Sequence, residues 1–484
     1  MERKKNEILR CTPEEAGIPS GAVVEFCEKI KQKGVTMHSF ILARFGRVFA
    51  EGYYAPWDAS MNHRMFSETK SFVSLAVGCL VQEGKVSLDD AIVSYFPEYV
   101  PKQPHPYLTE MTIRQMLKMQ SCHKTTTYKA DMTKNWVESF FITKPDHKPG
   151  TIFNYDTSST HVLCALVEKV SGKKMLDYLR ERCLDEIGFS EDAYVISDPF
   201  GTSMGGSGLM AHPTDMLRVG LLLMNNGSWN GKQLIPAEYI EEASRFQVPT
   251  VAKGPVPEES QGYGYQFWRM SRNGFAMYGM GGQFVMCLPK YQLLCITTAN
   301  TMRRAGGNQV IYDSLYETIA AAIEGRETYL EYSEKELTSY LAHLKLEPVR
   351  GERQPQEGLL PKIQNVTYKI ENVNSLIQNV RFSFSEEENE GTFYFEGEKG
   401  AHALSFGIRK PMVSQFPLYE EPCFCTAAWI AGDSLYLAAD MMGENIGDFW
   451  MQVTFRDDTV TIFMNRTIEF CTGELSGFLS GKKE

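Results

Sequence analysis

The sequence, 484 residues long, lacks most of the features that mark nucleic-acid-binding and membrane proteins. It contains no long basic run and its net charge is −11, which argues against nucleic acid and anionic membrane surfaces as partners. No stretch approaches the roughly 18 consecutive apolar residues of a membrane-spanning helix. The charged start, Met1–Glu7, is not followed by the apolar segment of a secretory signal. We therefore expect a cytoplasmic protein whose partner is neither nucleic acid nor a membrane.

Residue spacings that bind metals or nucleotides are also missing. The eleven cysteines are scattered, and only Cys423 and Cys425 lie close together, without the second C-x-C or H-x-H pair that a metal site needs. The sequence has no H-E-x-x-H motif, no Walker loop and no G-x-G-x-x-G motif. Four cysteines lie within apolar runs, which is typical of buried reduced thiols: Cys79, Cys164, Cys287 and Cys295. We expect no metal and no other cofactor.

The length of the chain predicts more than one domain, because a single core rarely grows beyond about 300 residues. Helix and strand patterns are mixed up to about residue 330, whereas apolar residues alternate as in antiparallel strands beyond the polar segment Leu346–Leu360. The sequence predicts a first domain over 1–330, with a helical subdomain inserted at roughly 85–200, and a helix and linker over 331–360. A separate β-sandwich or barrel is predicted over 361–484.

Local signals predict the main elements of the first domain. Two apolar runs around Phe45 and Gly46 predict a hairpin over His38–Glu51. Apolar residues at helical spacing, with suitable end residues, predict four helices: Ser67 to Gly84, one that begins at Thr112, Ser158–Val170 and Thr214–Asn225. Further on, the patterns predict strands at Tyr263–Trp268, Phe284–Leu288 and Tyr291–Thr298 and a helix at Ile311–Glu324.

Ser67 and Lys70 carry the clearest chemical signal in the sequence. They lie three residues apart at the start of the apolar segment Phe72–Val81, so that one helix face would bring the hydroxyl and the amine together. A serine hydroxyl is a weak nucleophile until a base takes its proton. Lysine can act as that base only as a neutral amine, which burial and the positive end of a helix favour. The spacing predicts a serine nucleophile of the S-x-x-K type.

Other serines fit short catalytic motifs in less suitable surroundings. Three more S-x-x-K matches begin at Ser121, Ser171 and Ser480, and none is followed by a sustained apolar helix. Ser203 fits the G-x-S-x-G elbow, but that motif needs a strand before it and a helix directly after it. Pro199 precedes Ser203 and further glycines follow, which predicts a glycine-rich loop instead.

Further segments follow Ser67 in a characteristic order. A Pro-Gly turn leads to Tyr155 within KPGTIFNYDT (148–157), GGSGL (205–209) precedes LIP (234–236), and GMGGQ (279–283) opens a strand. Together they resemble the serine β-lactamase / D-Ala-D-Ala carboxypeptidase family, in its class C β-lactamase-like and esterase branch. The resemblance covers about residues 12–325 and implies an α/β (α+β) fold, in which helices flank an antiparallel sheet and a subdomain is all-helical. The C-terminal β-domain resembles an accessory domain of some members.

The resemblance implies roles for three catalytic residues. Ser67 matches the nucleophile of the family, and Lys70 matches its activating base. Tyr155 matches the tyrosine that moves a proton between the nucleophile and the leaving group. A phenol needs a nearby cation to lower its pKa from about 10, and Lys70 is the natural partner.

The resemblance also implies a substrate-binding strand, in which two family residues are replaced. Met277 stands where the family has a lysine or histidine, and Thr157 replaces the asparagine of the Y-x-N motif. The backbone N–H groups of Ser67 and Met280 would form the oxyanion hole. The residues expected to bind the substrate or the oxyanion are Met280, Gly279, Thr157, Met277 and Tyr278. Because a lost buried polar contact costs on the order of 1–3 kcal/mol, we expect weak or no β-lactamase activity.

These observations predict an acyl-enzyme on Ser67 that cleaves a small ester, amide or peptide. Two alternatives remain open at this point. An acyltransferase would use the same acyl-enzyme and pass the acyl group to an amine or alcohol. A non-catalytic, penicillin-recognising binding protein would have lost turnover together with the polar contacts. The sequence leaves the natural substrate and the oligomeric state open.

Overall fold

The computed structural model describes residues 6–252, 254, 256–326, 328–351, 354–372, 375–385, 387, 389–408, 410–468 and 475–484. The chain forms two compact units. The first holds the residues up to Tyr54 and Asp58–Leu344, and the second holds Ala55–Trp57 and Lys345–Glu484. The first unit therefore continues beyond residue 330. None of the helices within the described ranges is long and apolar enough to cross a membrane.

The first unit is built around one antiparallel sheet. The strands of the whole unit are β1 Thr36–Arg44, β2 Arg47–Tyr53, β3 His63–Arg64, β4 Tyr194–Val195, β5 Leu209–Ala211, β6 Ser228–Trp229, β7 Lys232–Gln233, β8 Trp268–Arg269, β9 Phe275–Gly279, β10 Gln283–Leu288 and β11 Leu293–Asn300. The main sheet has the order β2-β1-β11-β10-β9-β8, and smaller sheets join β3, β5 and β4 and pair β6 with β7. The antiparallel sheet that the resemblance predicts is confirmed.

The helices of the first unit lie before, between and after these strands. They are α1 Ser20–Gln32, α2 Thr69–Gln82, α3 Pro106–Thr109, α4 Ile113–Leu117, α5 Trp136–Ile142, α6 Thr157–Ser171, α7 Met175–Leu179, α8 Asp185–Ile187, α9 Pro213–Met224, α10 Ala237–Ser244, α11 Gly307–Leu315, α12 Ala321–Ile323 and α13 Glu334–Ala342. Helices α3 to α8 occupy the segment in which the sequence predicts a helical subdomain. Two short 3-10 segments bear on the site, at Phe66–Glu68 and Glu258–Ser260.

The ends of these elements follow from local sequence. The hairpin of β1 and β2 turns at Phe45 and Gly46, whose positive φ angles of 53° and 73° suit a two-residue turn. Thr112 caps α4 in a capping box with Gln115, as the sequence predicts for an N-cap residue. Gly172, with φ of 72°, ends α6 in the left-handed conformation that favours glycine.

Helix α2 lies inside the first unit rather than on its surface. All its residues from Thr69 to Leu80 are buried, and it packs against α6 and α7. Phe72 belongs to the main apolar core, which also takes Val285 from β10 and Ile296 from β11. Each large apolar side chain buried in this way contributes about 1.5–3 kcal/mol. This core therefore fixes the position of α2 and of the turn directly before it.

The predicted strand at Tyr263–Trp268 is wrong for most of its length. The strand is only Trp268–Arg269, and Gln266 has a left-handed backbone with φ of 64°. The Gln266 backbone and side-chain N–H groups donate to the end of α4, while its oxygens accept from Thr160 of α6 and Ser71 of α2. Polar groups that would form a sheet ladder are thus used to join three helices.

The second unit consists of one short helix and a closed ring of strands. Its elements are α14 Leu359–Ile363, β12 Thr367–Ile370, β13 Ile377–Phe384, β14 Glu390–Gly397, β15 Gly400–Ile408, β16 Met412–Phe416, β17 Glu421–Ala431, β18 Ser434–Met441, β19 Asp448–Arg456, β20 Thr459–Arg466 and β21 Gly477–Lys483. Among the described residues, nine strands follow one another in the order β15-β14-β13-β12-β21-β20-β19-β18-β17, and β17 pairs with β15 to close the ring. Strand β16 pairs with residues 421–425, on the same edge of β17 that pairs with β15 at Thr426 and Ala427.

The closed ring makes the second unit a barrel, one of the two architectures that the sequence predicts. Along β20 the side chains of Val460, Ile462 and Met464 are buried, while the residues between them are less so. Cys423 and Cys425 lie in the same apolar core and are free thiols. The close C-x-C pair is therefore explained by packing.

Candidate active site

Ser67 lies in a sharp turn directly before α2. The segment Phe66–Glu68 leads into the helix, and the Phe66 backbone is left-handed, with φ of 45°. A non-glycine residue in that region costs of order 1–3 kcal/mol, and such strain collects at functional sites. The Thr69 hydroxyl donates to the Phe66 carbonyl over 2.6 Å and helps to hold the turn. The turn places the Ser67 side chain at the N-terminal end of a buried helix.

The Lys70 side chain is buried beside Ser67. It is 1% exposed, and its Nζ lies 3.0 Å from Ser67 Oγ. The same Nζ donates to the Gly206 carbonyl oxygen over 2.6 Å and lies 5.0 Å from the centre of the Tyr155 ring. The pair thus makes the contact that its spacing in the sequence predicts. These contacts give the amine a fixed position within reach of the serine proton.

Tyr155 completes the group around Ser67. Its hydroxyl forms a hydrogen bond with the Ser67 side chain, and its ring stacks on Trp268 with 5.6 Å between the ring centres. Burial raises the pKa of the Tyr155 phenol, the bond with Ser67 lowers it in part, and the Glu259 carboxylate raises it further. The pKa of this phenol is thus raised, and not lowered as its place beside Lys70 leads us to expect, because burial is the largest effect. The phenol is therefore protonated near neutral pH and can donate its proton.

The buried carboxyl of Asp156 fixes the backbone that carries Tyr155. It caps α6 by accepting from the Ser158 N–H over 2.9 Å, and it also accepts from the Ser121 hydroxyl over 3.1 Å. Burial raises the pKa of Asp156 to about 6, and these hydrogen bonds lower it in part. The Ser121 hydroxyl, from one of the alternative S-x-x-K matches, is therefore used to anchor α6.

Strand β9 passes very close to the turn that carries Ser67. A Cβ on Gly279 would stand 2.1 Å from the Met65 carbonyl oxygen, so only glycine allows this approach. Gly281 and Gly282 then turn the chain with φ angles of 87° and 91°. Met280 is half-buried at the start of this turn.

Met277 does not take the place that the sequence suggests for a substrate contact. It is fully buried in the main apolar core, together with Val285. Neighbouring residues of a strand point to opposite faces, so Tyr278 instead packs against the aromatic cluster of Phe153, Tyr263 and Trp268. The burial of Met277 assigns its side chain to packing rather than to substrate recognition.

Thr157 lies at the first position of α6, next to Tyr155. Its side chain is half-buried, and its backbone N–H donates to the Thr126 hydroxyl over 3.2 Å. Its methyl group faces the loop that contains Gly206. Thr157 is thus close to the group around Ser67. Its methyl group contacts the loop whose Gly206 carbonyl oxygen holds Lys70.

Ser203 does not lie in a nucleophile elbow. Its loop pairs with Ser197, and its hydroxyl donates to Glu168. Helix α9 begins only at Pro213, so no helix directly follows the serine. The segment is a loop, as the sequence predicts, and its Gly206 carbonyl holds Lys70.

Two residues beside the site have no motif in the sequence. Glu259 is 1% exposed, and its Oε1 accepts from Asn308 Nδ2 over 2.9 Å. The pair Glu258–Glu259 follows a proline and precedes Ser-Gln-Gly, which is the composition of an exposed turn. The sequence therefore does not predict that Glu259 is buried. Its burial results from the folded structure, in which Asn308 of α11 packs against it.

A comparison with protein families shows to which family this chain belongs. The model of the family described as Beta-lactamase matches residues 25–320, which is more than half of the chain. The chain belongs to the Beta-lactamase family. This confirms the resemblance that the sequence motifs indicate.

Individual relatives of this Beta-lactamase family member are distant. The chain is 24% identical over 224 residues to the 6-aminohexanoate-dimer hydrolase of Paenarthrobacter ureafaciens, a match that covers 42% of this chain and 56% of that protein. The chain thus spans about half the length of this curated relative. At this distance the relative's activity does not transfer directly.

Solved structures share the fold of the first unit. A Bacillus anthracis protein assigned as a 6-aminohexanoate-dimer hydrolase has a TM-score of 0.54 at 24% identity, covering 62% of this chain and 83% of that one. EstCE1, described as a hydrolase with promiscuous acyltransferase activity, has a TM-score of 0.50 at 15% identity, covering 61% and 98%. Both likenesses concern the fold alone.

Proposed function

We propose that this protein forms an acyl-enzyme on Ser67 and cleaves esters or amides of small molecules or peptides. The observation that carries the proposal is the 3.0 Å contact between Lys70 Nζ and Ser67 Oγ, beside a Tyr155 phenol that also bonds Ser67. A nucleophile with a base and a proton donor in reach is the arrangement that covalent acyl transfer requires.

The first half of the reaction would move one proton around the site. Lys70, as a neutral amine, takes the Ser67 proton while Oγ attacks the substrate carbonyl carbon. The carbonyl oxygen becomes an anion, and the backbone N–H groups of Ser67 and Met280 donate to it. As the bond to the leaving group breaks, Tyr155 gives its proton to the leaving oxygen or nitrogen. The Lys70 ammonium then returns a proton to Tyr155, so the site regains its starting charge.

The second half repeats these steps with water in the place of the leaving group. Water loses its proton to the Tyr155–Lys70 pair and attacks the acyl carbon. The new tetrahedral intermediate collapses, the bond to Ser67 Oγ breaks, and Oγ recovers a proton. An amine or alcohol that took the place of water would make the same site an acyltransferase.

The surroundings of Ser67 support a substrate without a carboxylate. The position that holds a lysine or histidine in the resembling branch is the buried Met277, and Thr157 replaces the asparagine. The aromatic side chains of Tyr155, Trp268 and Tyr278 lie together on one side of the site and suit an apolar group. The name of one relative, 6-aminohexanoate-dimer hydrolase, denotes hydrolysis of a dimer of an amino acid rather than of a β-lactam, which supports the choice of an amide other than a β-lactam.

The test uses the purified full chain with p-nitrophenyl esters and a fluorophosphonate probe. We expect Ser67→Ala to abolish both hydrolysis and labelling, and peptide mass spectrometry to find the label on Ser67. Ser203→Ala is the matched control, since its serine bonds Glu168 in a loop, and it should retain both activities.

Three results would redirect the proposal. Labelling that survives Ser67→Ala and disappears in Ser203→Ala would move the nucleophile to the loop. A wild-type protein without any burst on activated esters would be a binding protein. Acylated product formed from an added amine or alcohol, in preference to free acid, would make it an acyltransferase.

A further inference from the structure

One face of helix α6 contacts the loop 198–206 along the length of that loop. Four residues of this face, spaced by four, three and four positions, lie against it, as neighbours along one side of a helix do. These residues and their partners are Thr157 with Gly206, His161 with Asp198, Cys164 with Gly205, and Glu168 with Ser203. The path of the loop is therefore set by α6.

The last residue of this loop holds the amine of Lys70. The Gly206 carbonyl oxygen accepts from Lys70 Nζ over 2.6 Å. A neutral amine has two N–H groups and one lone pair, so a carbonyl that takes one N–H group also limits where the lone pair points. Ser67 Oγ lies 3.0 Å from the same Nζ, within reach of that lone pair. The position of the loop thus controls how well Lys70 accepts the Ser67 proton.

His161 and Asp198 form a buried pair at the first residue of the loop. Their side chains are 1% and 0% exposed, and 2.9 Å separates His161 Nε2 from Asp198 Oδ2. Burial acts to raise the pKa of Asp198, but the interaction with His161 and hydrogen bonds from the loop outweigh it, so the pKa is lowered. An ionised carboxylate only accepts, so the His161 nitrogen that faces it donates.

Both members of the pair are also fixed by other neighbours. The His161 ring meets Tyr128 and Trp136 edge-on, with 5.8 and 5.6 Å between the ring centres. Asp198 Oδ1 accepts from two backbone N–H groups of the loop over 2.9 Å each. The carboxylate therefore shapes the turn at the start of the loop and joins this turn to α6.

The acyl-transfer steps use neither member of this pair. A buried charge is costly unless it is paired and hydrogen-bonded, and apolar side chains of similar volume fill such a space without that cost. The pair supplies what apolar side chains do not, a directional bond that fixes the loop at one position along α6. This bond is useful because the loop ends at the carbonyl that holds the catalytic amine.

We propose that the His161–Asp198 pair positions the amine of Lys70 through this loop. Both are positioning residues, since they act on Ser67 only through that amine. This inference rests on the proposed acyl-enzyme at Ser67 and adds the device that orients its base. A disturbed pair should slow the attack of Ser67 on every substrate, whichever leaving group the substrate carries.

The test measures how fast a fluorophosphonate probe labels the purified full chain. Fluoride leaves without a proton, so this rate depends on the loss of the Ser67 proton and not on an acid for the leaving group. We expect His161→Leu to lower the rate roughly tenfold or more, since small displacements of catalytic groups are costly. His161→Gln keeps an N–H donor for Asp198 and should retain most of the rate.

Two further variants separate lost positioning from general damage. If His161→Leu does not fold, because it leaves Asp198 as an unpaired buried charge, Asp198→Asn is added to it. The double variant keeps an acceptor for the loop N–H groups and should show the same loss. Ser203→Ala is the matched control in the same loop. Its backbone N–H still donates to Glu168 over 3.3 Å, so its labelling rate should remain that of the wild type.

A combination of substitutions tests the route through the loop. Gly206→Ala displaces the carbonyl that holds Lys70 directly, because Thr157 leaves no room for a Cβ there. In this background His161→Leu should lower the labelling rate little further, since both changes act on the same carbonyl. Effects that multiply in full would overturn the route through the loop.

The other outcomes distinguish this inference from the proposed function. A wild type that is not labelled at Ser67 would contradict the acyl-enzyme, and with it the inference that rests on it. A labelled wild type whose rate is unchanged in folded His161→Leu would overturn the positioning role alone. A loss confined to the hydrolysis of alkyl esters, which need a proton for the leaving group, would assign the pair to Tyr155 and overturn its action on Lys70.

Discussion

The methyl group of Thr157 packs directly against Gly206, so that a Cβ on Gly206 would stand 2.2 Å from Thr157 Cγ2. The carbonyl oxygen of the same glycine accepts from Lys70 Nζ over 2.6 Å. Thr157 occupies the position of the asparagine in the Y-x-N motif. The methyl group of Thr157 therefore supports the loop that holds the amine.

This packing predicts that Gly206→Ala lowers the activity and that a second substitution, at Thr157, recovers most of it. The added methyl group must push the loop away from Thr157 and Lys70, and we expect kcat on p-nitrophenyl esters to fall at least tenfold, since small displacements of catalytic groups are costly. Thr157→Ser removes the opposing methyl group and keeps the hydroxyl. The double variant should recover most of the activity, and a double variant no better than Gly206→Ala would show that the loop position is unrelated to this contact.

Tyr155→Phe tests the phenol as a proton donor. The change keeps the ring that stacks on Trp268, so the thermal unfolding temperature should remain close to that of the wild type. We expect kcat for alkyl esters or amides to fall about 10²–10⁴-fold, the usual contribution of acid–base catalysis. p-Nitrophenyl esters should lose less, because p-nitrophenolate leaves without a proton. Equal losses for both leaving groups would assign Tyr155 a different role.

Met277→Lys places a lysine where the resembling branch has a lysine or histidine. We expect that this substitution does not produce β-lactamase activity. The side chain is fully buried in the apolar core, where an unpaired charge costs about 3–5 kcal/mol. We expect urea unfolding to show a loss of that order, and no hydrolysis of a chromogenic cephalosporin. Met277→Leu, of similar volume, is the control and should cost less than about 1.5 kcal/mol. A stable lysine variant with β-lactamase activity would contradict the assignment of this position to packing.

Glu68→Gln should stabilise the protein increasingly as the pH rises. Burial raises the pKa of Glu68 well above its usual value, and neither carboxyl oxygen has a hydrogen-bond partner among the described residues. The folded state therefore holds a proton that the unfolded chain releases above about pH 4.5, so stability falls by up to about 1.4 kcal/mol per pH unit from there towards the folded pKa. Glutamine cannot titrate and removes this slope.

Thermal unfolding of the Glu68→Gln variant between pH 5 and pH 8 measures this effect. The gain in unfolding temperature over the wild type should grow across this range. Glu110→Gln changes an exposed carboxylate of the same unit and serves as the control, with no trend expected. A constant difference between Glu68→Gln and wild type at all pH values would show that the buried carboxyl is ionised in the folded protein.

The central part of the site can be predicted from the sequence because it is local. Ser67 and Lys70 lie one helical turn apart, and Tyr155 directly precedes the N-cap of a clear helix. Asn308 and Glu259 are 49 residues apart and meet only through the packing of α11, so no short motif contains them. The Met277 position shows a related difficulty, since the alternation of a strand does not say which face is the core.

Predictions of the fold fail where hydrogen bonds join distant segments. The hairpin at Phe45 and Gly46 depends on neighbouring residues and is predicted correctly. Gln266 looks like the middle of a strand, but its backbone and side chain bond to three helices that lie far away in the sequence. In the same way, alternating residues predict the strands of the second unit, while closure into a barrel depends on the pairing of β15 with β17.

Whether such a ring can close depends on whether its number of strands is even or odd. Strand direction reverses at each antiparallel pair around a ring, so a ring made only of such pairs needs an even number of strands. The nine described strands of this ring therefore require one pair that runs in the same direction, and Gly407 with Thr426 and Ile408 with Ala427 form it. Strand β16 follows β15 along the chain and runs antiparallel to β17, so the chain reverses twice between β15 and β17, and these two strands run in the same direction. A single hairpin from β15 into β17 would make the two strands antiparallel and could not form this closing pair.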